Sequence, residues 1–284
     1  MSKFTLSGFS DEIDEKIVVQ FEHLNKLGIS YFEPRGINGV NISDIDDTQL
    51  DELKQNMKKY GIKVSSIGSP IGKIGINDPF EPHLEKLKRV IYIAKKLDTK
   101  YIRIFSFFIP KDEDPAKYRD EVMSRMKKMC ELAEEENVIL LHENEKEIYG
   151  DIASRCLDIF ETVKSPALKG VFDPANFVQC GEDVYPKAFN MLKEHIVYMH
   201  IKDALENGDV VPAGYGIGGV ENIISDLYAS GYEGFLSLEP HLGSFNGLAN
   251  LELDDKMLNL AKSTPEKFTL AYESLKKILD KVVK

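Results

Sequence analysis

The chain has 284 residues, 43% of them hydrophobic, and a formal net charge of −11 at pH 7. This acidic balance disfavours a nucleic-acid surface and binding to an anionic membrane. No run approaches the roughly 18 apolar residues of a membrane span, and the N-terminus lacks the apolar core of a signal peptide. The cysteines, Cys130, Cys156 and Cys180, are widely spaced without a CxxC pair, which is typical of packing thiols in a reducing compartment. We therefore expect a soluble, cytoplasmic protein.

Short β-rich segments alternate with longer helical stretches along the chain. The first strand is followed by a helix for which Asp11 is the expected N-cap and which ends at Gly28. The same strand–helix pattern then recurs every ~30–35 residues. The predicted strands are 4–9, 30–33, 63–68, 101–105, 138–143, 168–173, 197–203 and 234–239, and the later predicted helices are about 47–60, 81–96, 115–136, 152–163, 185–194, 220–230 and 265–283.

Eight such units predict the fold class. Apolar strands alternating with helices indicate an α/β protein with a parallel sheet covered by helices. Eight units without an intervening linker favour a closed (β/α)₈ TIM barrel, as a single domain over residues 1–284. The alternative is an open doubly wound sheet, which should carry a glycine-rich phosphate-binding turn after its first strand. The turn there reads G-F-S-D-E, which is not such a motif.

Four predicted strands finish on residues that can bind a metal ion: Glu143, Asp173, His200 and Glu239. The carboxyl ends of barrel strands meet at one face, so these side chains should converge above an interior that is apolar or small. Buried neighbouring carboxylates raise one another's pKa unless a cation lies among them. One histidine with three carboxylates suits one divalent ion per chain, Mn²⁺, Mg²⁺ or Co²⁺, with Zn²⁺ also compatible. The alternative is ordinary polar strand ends that cap helices or pair with lysines.

A second group of polar residues, predicted at the same face, are candidates for substrate binding: Arg103, Lys202, Lys73, His241 and Glu33. Arg103 would either clamp an oxyanion or carboxylate of the substrate or pair with Glu33, because a buried arginine needs a partner. Lys202 lies one inward step beyond the strand histidine and could bind a substrate oxygen or balance charge. Lys73, in the loop S-P-I-G-K, could reach an anionic group or stay solvated, and His241 should line the mouth of the pocket.

Three neighbouring features leave alternatives open. Glu145 has the same strand parity as Glu143 and could compete with it as the ligand, although Glu143 ends the apolar run. His142 should point the other way and pack in the core. The segment G-Y-G-I-G-G at 214–219 offers backbone N–H groups near a helix start, which could bind an anion.

Four phrases in order carry a resemblance to a known family. They read H-E-N-E at 142–145, F-D-P-A-N-F at 172–177, M-H-I-K-D at 199–203 and L-S-L-E-P at 236–240. From Phe4 to about Pro240 the chain resembles the sugar phosphate isomerase/epimerase superfamily of xylose isomerase-like TIM barrels. That group includes ketose 3-epimerases, inosose dehydratase and endonuclease IV. The resemblance implies a small carbohydrate, a sugar or sugar-like polyhydroxy carbonyl compound, as the substrate.

The resemblance also implies roles for individual residues. Glu143, Asp173, His200 and Glu239 match the family's metal ligands, and the two glutamates match its acid and base on opposite substrate faces. The implied activity is isomerisation or epimerisation by proton abstraction through a metal-stabilised enediolate. The alternatives are a dehydratase of the inosose type, an endonuclease IV-like phosphodiesterase, and a barrel that binds sugar without turnover.

Departures from the family pattern narrow these alternatives. Asn176 stands where the family phrase has a histidine, and Val211 stands where the endonuclease branch has another. A trinuclear site and a nucleic-acid partner are therefore disfavoured. Transfer of ketose 3-epimerase activity is weakened too, because that histidine contacts substrate there, and Asn176 becomes the candidate contact in its place. The sequence leaves open the substrate's identity and whether the chain forms a homo-oligomer.

Overall fold

A computed structural model describes residues 4–245 and 260–283. The strands are β1 Thr5–Gly8, β2 Tyr31–Phe32, β3 Gly36–Ile37, β4 Val40–Asn41, β5 Lys63–Val64, β6 Tyr101–Ile104, β7 Ile139–Glu143, β8 Leu168–Phe172, β9 Ile196–Ile201, β10 Asp203–Ala204, β11 Val210–Val211 and β12 Phe235–Leu238. The helices are α1 Ile17–Lys26, α2 Asp47–Tyr60, α3 Glu81–Lys96, α4 Arg119–Glu136, α5 Ala153–Val163, α6 Pro174–Gln179, α7 Phe189–Leu192, α8 Val220–Ala229 and α9 Pro265–Val282.

Eight parallel strands close into a barrel. Six of them form one ladder in the order β1-β12-β9-β8-β7-β6, and β2 pairs with β5. Backbone hydrogen bonds join these two parts: Glu33 N donates to Gly8 O over 2.9 Å on one side, and Ile67 N donates to Tyr101 O over 2.9 Å on the other. The (β/α)₈ prediction is therefore confirmed, and the carboxyl ends of all eight strands meet at one face.

The helices cover the outside of the barrel and bury an apolar stripe against it. Leu87 and Val90 in α3, and Met126 and Met129 in α4, are fully buried. Each such side chain contributes roughly 1.5–3 kcal/mol relative to an exposed position. None of the described helices combines the length and the apolar character needed to cross a bilayer.

Several helix ends follow from local chemistry. The side chain of Asp46 accepts a hydrogen bond from Gln49 N, and Asp46 N donates one to Gln49 Oε1, so α2 begins with a capping box. Helix α2 ends at Gly61 and α4 at Asn137, both in the left-handed conformation. Gly28, after α1, also has a positive φ of 72°. These ends agree with the predicted ones.

Two local predictions were wrong, and two hairpins were not predicted. Asp11 does not cap α1, which begins after Lys16; instead Asp11 lies in a 3-10 turn, where it pairs with Arg35. The helix predicted at 185–194 is a π-helical segment, Val184–Ala188, followed by α7, because Pro186 cannot donate an intrahelical hydrogen bond. The hairpins that were not predicted are β3–β4 and β10–β11.

Helix α6, also unpredicted, begins directly after β8 and positions a carboxylate. The side chain of Asp173 caps it by accepting a hydrogen bond from Asn176 N over 2.9 Å, and Pro174 occupies its first turn. The cap fixes the Oδ1 atom of Asp173, and its Oδ2 atom lies 3.2 Å from Lys202 Nζ.

Candidate metal centre

The strands bring the four predicted ligands together. Glu143 ends β7, Asp173 follows β8, His200 lies in β9 and Glu239 follows β12. One potential ligand atom from each lies within 4.8 Å of the others. All four side chains are buried, with at most 2% of their surface exposed. Glu143 and His200, 57 residues apart in the sequence, thus meet because parallel strands place their ends on one face.

The hydrogen bonding within this cluster is incomplete. Glu143 Oε2 and Asp173 Oδ2 are buried and accept no hydrogen bond from any residue in 4–245 or 260–283. A buried carboxylate oxygen without a hydrogen bond costs roughly 1–3 kcal/mol or more. Hard oxygen atoms with one imidazole nitrogen form a donor set that suits a divalent cation, so these residues fit a metal ion.

The charges in the cluster act strongly on one another. Burial, together with Glu239 and Glu143, raises the pKa of Asp173 to about 7 against the lowering effect of Lys202. Burial alone would also raise the pKa of Glu239, but the positive charges of Lys202, His241 and His200 hold it well below its usual value. The cluster therefore attracts positive charge, which is the electrostatic requirement for a cation site.

Lys202 and Arg103 each contact two of the carboxylates. Lys202 Nζ lies 3.2 Å from Asp173 Oδ2 and 3.1 Å from Glu239 Oε2. Arg103 Nη1 lies 3.3 Å from Glu143 Oε2 and 3.7 Å from Glu239 Oε1. The sequence left Glu33 open as a partner of Arg103, whereas the ion pairs of this arginine are with the two cluster glutamates. Arg103 therefore holds both glutamates from one side.

Glu33 lies below the cluster and contacts His200 rather than an open cavity. Its carboxylate oxygen Oε2 is 3.3 Å from His200 Nε2 and accepts hydrogen bonds from Tyr198 and Ser237 over 2.8 and 2.7 Å. Tyr198 continues to Ser65 over 2.8 Å. The interior there is otherwise apolar or small, as predicted, because inward strand residues form a buried cluster. The polar groups are tolerated because they are hydrogen-bonded.

The other predicted substrate ligands lie around the rim of the cluster. Asn176 Nδ2 donates to Glu143 Oε1 over 3.3 Å. His241 Nε2 lies 3.4 Å from Glu239 Oε1. Lys73 Nζ lies 3.2 Å from Glu145 Oε2 in a buried ion pair, so Glu145 pairs with a lysine and is not part of the four-residue cluster.

Sequence reasoning missed Arg35, a buried arginine that supports Glu239. Its guanidinium lies between the rings of Phe9 and Phe245, 4.4 and 4.0 Å from their centroids. One nitrogen, Nη1, lies 3.2 Å from Glu239 Oε1, and two others bind Asp11 over 2.9 Å each. A lone arginine after a two-residue strand offers no sequence signal, because its partners lie far away in the chain.

The glycine-rich loop at 214–219 does not present free N–H groups for a ligand anion. The carboxylate of Asp203 accepts hydrogen bonds from the backbone N–H groups of Gly214, Gly216 and Gly218 over 3.1, 3.1 and 2.8 Å. A Cβ atom at Gly216 would lie 2.4 Å from Asp203 Oδ1, so glycine is needed there for this close approach. These three N–H groups are therefore not available to a ligand anion.

Similarity to known proteins agrees with the fold. A family model described as xylose isomerase-like TIM barrel matches residues 21–278. The 3-dehydroshikimate dehydratase of Bacillus anthracis is 24% identical over 187 residues, which cover 66% of this chain and 65% of that protein. A D-tagatose 3-epimerase-like protein superposes with a TM-score of 0.74 at 16% identity, covering 99% of this chain and 98% of that one. A xylose isomerase-like TIM barrel protein from Mycobacterium smegmatis, in complex with magnesium, superposes with a TM-score of 0.68 at 17% identity, covering 97% of each chain. The chain therefore belongs to the xylose isomerase-like TIM barrel family.

Proposed function

We propose that this protein is a divalent-metal-dependent isomerase or epimerase of a small sugar or sugar-like polyhydroxy carbonyl compound. The observation that carries the proposal is the buried cluster of Glu143, Asp173, His200 and Glu239, in which two carboxylate oxygens lack hydrogen bonds. The similarity to a D-tagatose 3-epimerase-like protein supports the reaction type. The similarity to a protein in complex with magnesium supports a hard divalent ion, and Mn²⁺, Mg²⁺, Co²⁺ and Zn²⁺ all remain candidates.

The four cluster residues would hold one metal ion per chain. A divalent ion bound there would supply Lewis acidity, which polarises a substrate carbonyl and makes the neighbouring C–H more acidic. The remaining steps belong to the protein side chains. Their task is to orient the substrate, exclude water and move one proton between two carbon atoms or between two faces of one carbon.

Glu143 and Glu239 are the proposed acid and base. They end non-adjacent strands of the ladder, β7 and β12, so they approach the centre of the barrel from different sides. Arg103 contacts both carboxylates, at 3.3 and 3.7 Å, and fixes their relative orientation. One glutamate acting alone would return the proton to a neighbouring carbon, which is isomerisation. The pair acting on opposite faces would invert one centre, which is epimerisation.

The rim residues are the proposed substrate contacts. Lys202 and Asn176 already contact cluster carboxylates and would bind substrate oxygens beside them. Lys73 and His241 approach from the loops that follow β5 and β12, where they would meet the outer end of the substrate. Arg103 is buried among the glutamates, so it would contact only the part of the substrate nearest the reacting carbons.

A dehydratase is the second candidate reaction. It is favoured by the similarity to the 3-dehydroshikimate dehydratase of Bacillus anthracis, of which this chain covers 65%. A dehydratase also begins with removal of a proton next to a carbonyl, and the same glutamates would serve. A phosphodiesterase of the endonuclease IV type fits less well, because Asn176 and Val211 replace histidines expected for further metal ions.

The test combines metal analysis with proton exchange. The purified chain is reconstituted with Mn²⁺, and its metal content is measured. It is then incubated in deuterated water with ketoses, inososes, their phosphates and 3-dehydroshikimate, and deuterium incorporation is followed by mass spectrometry. We expect about one ion per chain and exchange in at least one compound. A chain that holds no ion after reconstitution would contradict the proposal.

A further inference from the structure

We propose that Glu33 is a positioning residue that holds the imidazole of His200 so that Nδ1 faces the metal site. The inference rests on the proposed metal centre and assigns Glu33 a role other than substrate binding. Glu33 follows β2, on the side of the barrel that supplies none of the four candidate ligands.

The two nitrogens of His200 face different partners. Nδ1 lies 2.9 Å from Glu143 Oε1 and 3.3 Å from Glu239 Oε2, within the cluster. Nε2 lies 3.3 Å from Glu33 Oε2 and 3.4 Å from Glu33 Oε1. A ring nitrogen that binds a metal must present a lone pair, so the proton of the neutral imidazole has to be on the other nitrogen. Glu33 is in place to accept that proton's hydrogen bond from Nε2.

Glu33 is itself held in a fixed position. Its Oε2 atom accepts hydrogen bonds from Tyr198 and Ser237 over 2.8 and 2.7 Å. Behind Tyr198, a hydroxyl chain runs to Ser65 over 2.8 Å and on to Ser7 over 2.6 Å. These side chains are almost fully buried, so no solvent competes for the bonds. The carboxylate therefore has one defined orientation toward the imidazole.

Packing completes the restraint on the ring. The ring of Phe9 meets the His200 ring edge-on at 5.1 Å between centroids, and Tyr198 does so at 5.8 Å. These contacts limit tilting of the imidazole ring, and the hydrogen bond to Glu33 limits rotation of the ring within its own plane. A carboxylate behind a metal-binding histidine fixes its tautomer and increases its basicity, and losing such a partner typically weakens metal binding ~10–100-fold. The carboxylate of Glu33 stands in this position behind the imidazole of His200.

The first experiment determines which ring nitrogen of His200 carries the proton in the wild-type protein. The chain is loaded with Zn²⁺, which is diamagnetic, and its six histidines are observed through long-range ¹H–¹⁵N correlations. The His200 signals are assigned by their loss in His200→Gln. We expect the ring proton on Nε2, with slow exchange with solvent, and no proton on Nδ1. A proton on Nδ1 would overturn the proposal without any variant being needed.

The second experiment measures Mn²⁺ affinity by calorimetry. Glu33→Met removes the acceptor at similar length and should weaken binding ~10–100-fold. Glu33→Gln keeps one oxygen acceptor and should rescue part of that loss. Ser274→Ala is the matched control, because it removes a buried hydroxyl of α9 whose hydrogen bond is to Leu270 O. It should lower stability while leaving Mn²⁺ affinity unchanged.

The outcomes separate the two proposals. Wild-type Mn²⁺ affinity in both folded Glu33 variants would overturn the positioning role and leave the proposed reaction intact. A wild-type chain that binds Mn²⁺ but exchanges no proton with any tested compound would overturn the proposed reaction and leave the role of Glu33 supported by its own readouts. If neither variant folds, the position of the ring proton in the wild-type chain decides.

Discussion

Lys202 Nζ lies 3.2 Å from Asp173 Oδ2 at the carboxylate cluster. The same ammonium group lies 3.1 Å from Glu239 Oε2, so it neutralises two candidate metal ligands at once. A divalent ion held by the cluster would therefore compete with this ammonium group for the same oxygens. Removing this lysine should therefore strengthen metal binding, whereas mutations in a binding site usually weaken it.

Lys202→Met should increase the affinity for Mn²⁺. Removing one positive charge a few ångströms from the ion should strengthen binding by at least about tenfold, because like charges repel strongly in a buried site. Calorimetry measures the change, and turnover should fall if the ammonium also binds substrate. Lys95→Met, which removes an exposed lysine paired with Glu136, is the control. Unchanged or weaker binding in Lys202→Met would show that the lysine does not compete with the ion.

Glu143→Gln and Glu239→Gln should each abolish most exchange of substrate hydrogen with solvent. Loss of a general acid or base typically costs 10²–10⁴-fold, so we expect a fall of at least about 10²-fold in either variant. Deuterium incorporation measured with saturating Mn²⁺ and substrate checks this, with thermal unfolding to confirm the fold. Glu136→Gln, at the exposed end of α4, is the control. Persistent exchange in both variants would refute the assignment of acid and base.

His83 should make stability depend on pH below neutrality. Burial, with Lys86 and Arg125 nearby, lowers its pKa from 6.5 to about 4, and its Nε2 accepts a hydrogen bond from Gly72 N over 2.7 Å. As pH falls from 6.5 toward 4, the unfolded chain binds a proton at this residue while the folded chain does not, so the folded state loses stability over that window.

The comparison that isolates this effect is His83→Gln against wild type. The variant should lack the pH dependence that His83 causes. The difference in unfolding free energy between wild type and variant should therefore change by about 1–3 kcal/mol between pH 7 and pH 4. Urea unfolding at several pH values measures it. Parallel stability curves across this range would rule the mechanism out.

Asp203→Asn should loosen the loop at 214–219. The carboxylate accepts three glycine N–H groups as well as Ala204 N. An asparagine amide would turn a donor toward some of them, which should cost about 1–3 kcal/mol. Limited chymotrypsin digestion should then cut faster after Tyr215, a largely exposed aromatic residue. The control is Asp209→Asn, whose side chain bonds only Asn207 nearby; equal cutting of both variants would contradict the prediction.

The sequence was sufficient to predict the four converging residues. Strands β7, β8 and β9 are five or six residues long, so apolar character and two-residue periodicity locate both their ends and their inward faces. Glu33 was misplaced because β2 has only two residues, which is too short for parity to be read. The barrel was predicted from the recurrence of strands and helices alone, and that prediction required no knowledge of tertiary contacts.

Arg35 could not have been predicted on the same basis. Its bond to Asp11 spans 24 residues and its bond to Glu239 spans 204, and no local pattern reports such contacts. The partner of the loop at 214–219 was missed for a related reason. Its glycines suggested a site for an external anion, but Asp203 supplies that anion from within the chain. A motif shows which groups are available, whereas the tertiary structure decides what occupies them.

The distribution of the site along the chain has a consequence for how it is assembled. All four candidate ligands lie between Glu143 and Glu239, whereas Glu33, Arg35 and Arg103, which orient them, lie in the first part of the chain. A fragment with only the second half of the chain would contain all four candidate ligands but none of these three residues that contact them. During synthesis the centre cannot form until Glu239 has emerged and met residues made more than two hundred positions earlier. Metal loading should therefore be a late event that reports completion of the whole barrel.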